Sequence, residues 1–239
     1  MRLIKVYANA HELCEAAMEL FIEMAAQLIL AEGRFNVALS GGRTPNLLYD
    51  LLSNPENAAR VDWKNIFFFW GDERYVAHDN MENNSFQAKQ HLLDLVPVPP
   101  ENIFRIPVSG DHEADAAAYE QTILSFFNNE TPAFDLLFLG MGDEGHTASI
   151  FPGSPLLQEQ TALVKDVYVD VKQMQRISFT PPLINAAHNI LFMVTGAEKA
   201  AAFKEVIQGE YNPALYPAQI IQPVGGQLLW TVDEAIAGK

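Results

Sequence analysis

The chain has 239 residues, 49% of them hydrophobic, enough to bury a substantial core in one α/β domain or two small ones. Its formal net charge of −15, from 15 Lys and Arg against 30 Asp and Glu, disfavours nucleic acid and anionic membrane as partners, because both are held through an excess of basic side chains. Any anionic ligand must therefore be captured by a few locally placed cations. Cys14 is the single cysteine, so there is neither a disulfide framework nor a thiolate metal cluster, which fits a reducing compartment. The N-terminus lacks the features of a signal peptide and no apolar run reaches about 18 residues, so a soluble, cytoplasmic protein is expected.

An opening strand, Arg2 to Tyr7, precedes apolar positions Leu13, Ala17, Leu20, Phe21, Met24 and Leu28, the spacing of one helical face, and Gly33 ends that helix. Within it Cys14 reads as a small buried hydrophobe. Residues 35–40 read as a strand, followed by Gly41-Gly42-Arg43-Thr44-Pro45 and a helix through Leu52. Strand, glycine turn and helix together present backbone N–H groups and a positive helix end to an anion, and Arg43 adds a full charge. An ordinary tight turn with a solvated arginine fits the same residues. Residues 66–71 form the next buried strand, ending in Asp72-Glu73-Arg74-Tyr75, either a solvated loop or the wall of a site. Ligands of open parallel sheets bind beyond the carboxyl ends of the strands, which favours the wall. Asn84 or Ser85 is the expected N-cap of a helix over 86–95. Residues 96–110 read as a proline-rich surface connection, and 112–128 as a helix with Ala116, Tyr119, Ile123 and Phe127 on one side.

The unbroken apolar run from Phe134 to Leu139 reads as a strand buried on both faces of a parallel sheet, and a polar loop with Asp143, Glu144 and His146 follows it. Gly140, Gly142 and Gly145 satisfy G-x-G-x-x-G. Asp143 and Glu144 would nevertheless repel a pyrophosphate, and Pro152 and Pro155 leave little room for a long helix, so dinucleotide binding is disfavoured. A lone loop histidine is usually just hydrogen-bonded; the carboxylates and glycines around His146 favour chemistry instead. Residues 162–171 read as a strand, 172–180 as a segment stopped by Pro181-Pro182, 183–187 as a short helix and 189–196 as another buried strand. In the helix over 197–208, Lys199 falls in the first turn, where a cation opposes the helix dipole unless an anion lies between them; a solvated lysine is the alternative. The tail carries a Gly225-Gly226 turn, a strand over 228–231 and a final helical turn. With no repeat or linker, residues 1–239 read as a single α/β domain, a mostly parallel sheet with helices on both faces.

Sorted by role, the strand ends supply a base (His146), carboxylates (Asp72, Glu144) and a set of cations and amides (Gly41, Gly42, Arg43, Arg74, Arg176, Lys199). There is no nucleophile elbow, P-loop or zinc-type histidine pair, and hard cations want more oxygen ligands than the 143–146 loop offers. The chemistry left is proton transfer on a small phosphorylated molecule without a cofactor.

Ser40-Gly41-Gly42-Arg43-Thr44-Pro45, Gly71-Asp72-Glu73-Arg74, Asn83-Asn84-Ser85, the run from Gly140 to Pro152, and Thr195-Gly196-Ala197-Glu198-Lys199-Ala200 closely resemble, in order and over nearly the whole chain, the 6-phosphogluconolactonase family. That family is grouped with glucosamine-6-phosphate deaminase in a Rossmann-like superfamily. Glu144 departs from it, since Asp usually precedes the glycine-histidine pair; the longer carboxylate keeps the charge. The resemblance implies hydrolysis of 6-phosphoglucono-δ-lactone to 6-phosphogluconate in the oxidative pentose phosphate pathway, with no metal or nucleotide. It implies His146 as general base, Glu144 or Asp72 orienting the ring, and Arg74 placing water or facing the carbonyl oxygen. Ser40, the Gly41 and Gly42 amides, Thr44, Arg43, Arg176 and Lys199 would hold the phosphate. Of these, Arg176 and Lys199 correspond to superfamily positions, whereas Arg43 rests on the local turn. The expected partner is the small lactone, in a monomer or small homo-oligomer.

Two rivals are a deaminase or isomerase and a non-catalytic sugar-phosphate sensor. In the deaminases a glutamate follows the loop histidine where this chain has Ile150-Phe151-Pro152, and a sensor commonly carries a DNA-binding helix-turn-helix for which neither spare length nor positive charge is present.

Overall fold

The computed structural model describes residues 2–238, Arg2 through its backbone alone. The elements run β1 (Arg2–Tyr7), α1 (Ala10–Glu32), β2 (Phe35–Leu39), α2 (Arg43–Ser53), α3 (Pro55–Ala58), β3 (Ile66–Trp70), β4 (Asp72–Arg74), α4 (Asn84–Ala88) and α5 (His112–Phe126). The second half adds β5 (Leu136–Leu139), β6 (Val164–Val169), β7 (Met174–Phe179), α6 (Pro181–Asn185), β8 (Asn189–Val194), α7 (Ala200–Gln208), β9 (Gln227–Asp233) and α8 (Glu234–Ala237). Six strands form one sheet in the order β1-β9-β8-β5-β2-β3, and every neighbouring pair is parallel. β2 and β5 are buried at every position, Asn36 of β2 included, as a strand covered on both faces requires. Asn9 caps α1 by accepting from His11 and Glu12 N–H, and Gly33 ends it in the left-handed region at φ 80°. Phe21 of α1 packs edge-on against Phe35 and stacks towards Phe138, fixing the helix over the middle of the sheet.

Asp72-Glu73-Arg74 is a strand rather than a loop. Gly71 N–H donates to Leu39 carbonyl (3.0 Å), holding the chain to the parallel sheet, while its carbonyl accepts from Phe179 N–H (2.7 Å). At that seam the chain enters a second, antiparallel sheet, β4-β7-β6. Three polar residues have no apolar alternation to mark them as a strand; their pairing comes from backbone contacts with β7. The carboxylate of Glu73, 1% exposed, adds to this by accepting N–H bonds from Arg74, Asn84 and Ser85.

The helix expected over 86–95 is α4 followed by one π turn, Lys89–Leu93, and its cap is Asn83 instead of Asn84 or Ser85. Asn83 Oδ1 accepts from Phe86 N–H and from the Ser85 hydroxyl, while Asn84 turns its amide to the Asp72 carbonyl. Cys14 is buried, its thiol donating to the Thr44 carbonyl (3.4 Å), and burial pushes it up to about 12, so it is not a nucleophile at neutral pH.

Candidate active site

Beyond the carboxyl ends of β2, β5 and β8, and along β4 and β7, lies a cavity of about 210 Å³. Four of the chain's 15 basic residues, Arg43, Arg74, Arg176 and Lys199, line it together with Asp72 and His146.

One side is the glycine turn. Gly42 is the N-cap of α2 with no side-chain cap, leaving first-turn N–H groups for an external acceptor. Its φ of 119° is a conformation side chains rarely adopt, and a Cβ at Gly41 would overlap the Asn84 carboxamide. Ser40 forms the wall just before the turn, its backbone fixed at both N–H and carbonyl by the buried Tyr49 hydroxyl. Thr44 does not line the cavity. Its hydroxyl bonds Thr195 (2.8 Å), joining the start of α2 to the end of β8, so that the Gly41-Gly42 turn and the Gly196–Lys199 turn are held side by side. Lys199 directly precedes α7, after a 3-10 turn; burial lowers its pKa, as does the nearby Arg43, with Glu198 and Asp143 opposing. Arg43 and Lys199 thus line the cavity close enough for each to feel the other's charge.

The opposite wall is the antiparallel sheet, where Arg74 and Arg176 occupy paired register positions on β4 and β7. Arg74 Nη1 donates to the Glu82 carbonyl (2.8 Å). Arg176 is 8% exposed, with Nη1 3.6 Å from Asp72 Oδ2, its guanidinium 5.7 Å from the Phe151 ring centre, and a buried Nε that bonds no protein acceptor. Burial lowers its pKa and Asp72 counters this; an arginine so placed stays charged. Asp72 also accepts from the Ser149 hydroxyl (2.6 Å).

His146 stands on the loop after β5. Thr147 Oγ1 donates to the Gly140 carbonyl, Gly142 N–H to the His146 carbonyl, and Gly145 N–H to the Gly142 carbonyl, folding the loop back over itself. A side chain at Gly142 would collide with the imidazole and with Glu144, which is why glycine stands there. The ring stacks on Phe151 with centres 3.9 Å apart and planes 14° from parallel. Its Nδ1 lies 3.0 Å from Glu144 Oε2, at ion-pair distance but off the line of a hydrogen bond. The imidazole, acting against the cost of burial, holds the Glu144 carboxyl well below the usual carboxylate range. Of the two carboxylates offered for orienting the ring, Glu144 is therefore beside it, and Asp72 is engaged with Ser149 and Arg176.

Three residues given no role from sequence belong to this arrangement. Asn84, a cap candidate by its position, lines the cavity with its amide on the Asp72 carbonyl (2.9 Å). Ser149 holds Asp72, and Phe151 carries both the imidazole and Arg176. Ser149 and Phe151 lie within the Gly140 to Pro152 run that carries the family resemblance, and that run is the sequence signal for them.

A parallel sheet whose carboxyl edge carries an uncapped glycine turn, two cations and an imidazole with a carboxylate behind it, faced by two arginines of an antiparallel sheet, has the make-up of a class of proteins: those that bind a small anion beside an acid–base group. The profile described as glucosamine-6-phosphate isomerases/6-phosphogluconolactonase matches residues 8–230, and the chain belongs to that family. It is 39% identical over 242 residues to 6-phosphogluconolactonase of Nostoc sp., covering 100% of this chain and 98% of that protein. Against 6-phosphogluconolactonase of Homo sapiens the identity is 36% over 245 residues, covering 98% and 92%. The solved 6-phosphogluconolactonase from Trypanosoma cruzi superposes with a TM-score of 0.90 at 27% identity, covering 100% of this chain and 97% of that one.

Proposed function

We propose that the chain hydrolyses 6-phosphoglucono-δ-lactone to 6-phosphogluconate in the oxidative pentose phosphate pathway of the cytoplasm, without metal or nucleotide. The observation that carries this reading is the placement of His146 and its Glu144 partner in one cavity with Arg43, Arg74, Arg176 and Lys199. The phosphate is assigned to the Gly41-Gly42 turn with Arg43 and Lys199, and Arg176, whose Nε has no protein partner, contributes a further charge. This leaves the lactone carbonyl towards His146 and Arg74.

His146 Nε2 takes a proton from water as the water oxygen bonds to the lactone carbonyl carbon. The carbonyl electron pair moves onto oxygen, where Arg74 offsets the developing negative charge. When that pair returns, the ring C–O bond breaks, and the imidazolium returns its proton to the departing ring oxygen. Glu144, 3.0 Å from Nδ1, stabilises the imidazolium between the two transfers. The product carboxylic acid then ionises, so turnover consumes base.

Phe151 bears on the choice between water attack and aminosugar chemistry. Where the deaminases carry a glutamate, this chain places an apolar ring against one face of the imidazole, which supplies no second proton carrier. Purified protein is expected to accelerate base uptake in a pH-stat when fresh 6-phosphogluconolactone is supplied, above its spontaneous rate, and EDTA is expected to leave that rate unchanged. No acceleration, or loss of activity to EDTA restored by a divalent ion, would reject the reading.

A further inference from the structure

The segment between α7 and β9, residues 209–226, crosses the His146 loop and is bonded to it at two points that bracket the imidazole. Ala218 N–H donates to the Gly145 carbonyl (2.9 Å), and Gly153 N–H donates to the Ala214 carbonyl (3.1 Å). Tyr216 packs closely on Gly145: a Cβ there, at φ 81°, would come within 3.1 Å of Tyr216 Cδ1. Between these anchors stand His146 and Phe151, with Glu144 directly before the first.

Apolar packing holds part of this strap, with Ala218 and Ile221 buried in the core and Tyr216 and Ile220 packed against it. A cavity of about 390 Å³ borders Ala218 and Gln219 on the side of α7 and β9, walled mainly by Val206, Ile221 and Trp230. Polar ties add to that packing: Asn185 holds the far end at Ile220 and Gln222, and the carboxamide of Gln219, 8% exposed, holds the near end. Its Oε1 accepts from Asn212 N–H (2.6 Å), and its Nε2 donates to the carbonyls of Glu205 (2.9 Å) and Glu210 (3.0 Å). One side chain thus ties the last turn of α7 to both halves of the strap, and it does so one residue from Ala218. The same chain of bonds runs from Gln219 through Ala218 to Gly145, the residue before His146.

We infer that Gln219 is a positioning residue for His146, acting through the 210–219 strap and Gly145 to hold the imidazole against Phe151 and Glu144. Its effect on turnover rests on His146 being the base; its effect on the loop does not. Substitution by a group of similar length that cannot bond the three backbone partners unties residues 205–212 from the 218–219 end of the strap and loosens the anchor on Gly145. A small shift of the imidazole then lowers the rate without altering the phosphate cup, since misplacement on the order of 1 Å costs up to about 100-fold in a positioned reaction.

The test compares Gln219→Met with Asn102→Leu, a control that removes a buried amide donating to the Lys64 and Ile66 carbonyls at the opposite edge of the sheet. Each variant is checked for a cooperative unfolding transition. Gln219→Met is expected to lower kcat about tenfold or more with KM within about twofold. It is also expected to speed hydrogen–deuterium exchange in peptides covering 142–153. Asn102→Leu should lower the melting temperature without either change. Tyr216→Leu, which keeps all three carboxamide bonds but thins the cover on Gly145, should reproduce the exchange effect and serves if Gln219→Met does not fold. A folded Gln219→Met with kcat within twofold of the parent, or with unaltered exchange over 142–153, overturns the inference. If His146→Ala retains turnover while Gln219→Met still loosens 142–153, the base assignment fails and the strap's hold on the loop stands.

Discussion

The proposed base, His146, is placed by three restraints that its own loop supplies. Gly142 leaves room for the ring, Phe151 sets its plane, and Glu144 stands at Nδ1, directing Nε2 away from the carboxylate. Removing the imidazole by His146→Ala is expected to lower kcat by about 10²- to 10⁴-fold, the usual worth of positioned acid–base catalysis, with a much smaller change in KM. Initial rates in the pH-stat over a range of lactone concentrations separate the two, and an unchanged kcat would remove His146 from the reaction. Glu144 makes a prediction about stability. Its carboxyl lies below its ordinary value of 4.5 in the folded protein, chiefly because of His146, so the native state binds this proton less readily than the unfolded chain. The stabilisation is complete above that ordinary value and is lost as pH falls towards the lower folded value. Urea unfolding of the parent and of Glu144→Gln at pH 6 and pH 3 should therefore show a stability gap that narrows on acidification; a gap that widens would mean the carboxylate is not held by the imidazole.

At the scale of elements, the site is assembled where two sheets meet. Gly71 carries the chain from β3 into β4, and the buried Glu73 carboxylate then binds the turn holding Asn84, which in turn packs against Gly41. Thr44 and Thr195 make the second junction, setting Lys199 beside the glycine turn. If that junction forms the phosphate cup, Lys199→Ala removes one charge-assisted contact, a loss of about 1.5–3 kcal/mol or roughly 10- to 150-fold in kcat/KM for the phosphorylated lactone. Gluconolactone without the phosphate should lose far less. Equal losses for both would place the phosphate elsewhere.

How much of this was legible in the chain follows from the range of the forces involved. The parallel strands announced themselves because burial on both faces demands long apolar runs, as in Phe134 to Leu139, and the His146 loop did so because glycines and charges crowd into one short stretch. β4 did not, because three polar residues pair through backbone groups alone, and Glu73 finds its partners 11 and 12 residues away. The cap at Asn83 was missed by one residue because Asn84 and Ser85 are equally good cap formers, and tertiary contacts decide among them. Thr44 had the composition of an anion-binding turn, yet its hydroxyl is spent on Thr195, a residue 151 positions away. The strap over Gly145 left no local trace at all.

Over the whole molecule, charge is distributed against its own average. The chain carries −15, yet four of its 15 basic residues line a single cavity of about 210 Å³. A dianionic substrate therefore meets two opposed fields. At an ionic strength near 0.01 M the screening length is about 30 Å, and the field of the whole protein repels the substrate before it reaches the site. At about 0.1 M that length falls to about 10 Å, so distant carboxylates drop out while the cations of the cavity still act across it. Near 1 M, with about 3 Å of reach, the local attraction is screened as well. The kcat/KM for 6-phosphogluconolactone should accordingly rise from low to intermediate salt and fall at high salt, while the unphosphorylated lactone responds little. Initial rates in a series of sodium chloride concentrations, corrected for spontaneous hydrolysis at each, measure this directly. A steady fall from the lowest salt upward would mean that the four cations dominate the approach even at long range, and that the acidic remainder of the surface plays no part in it.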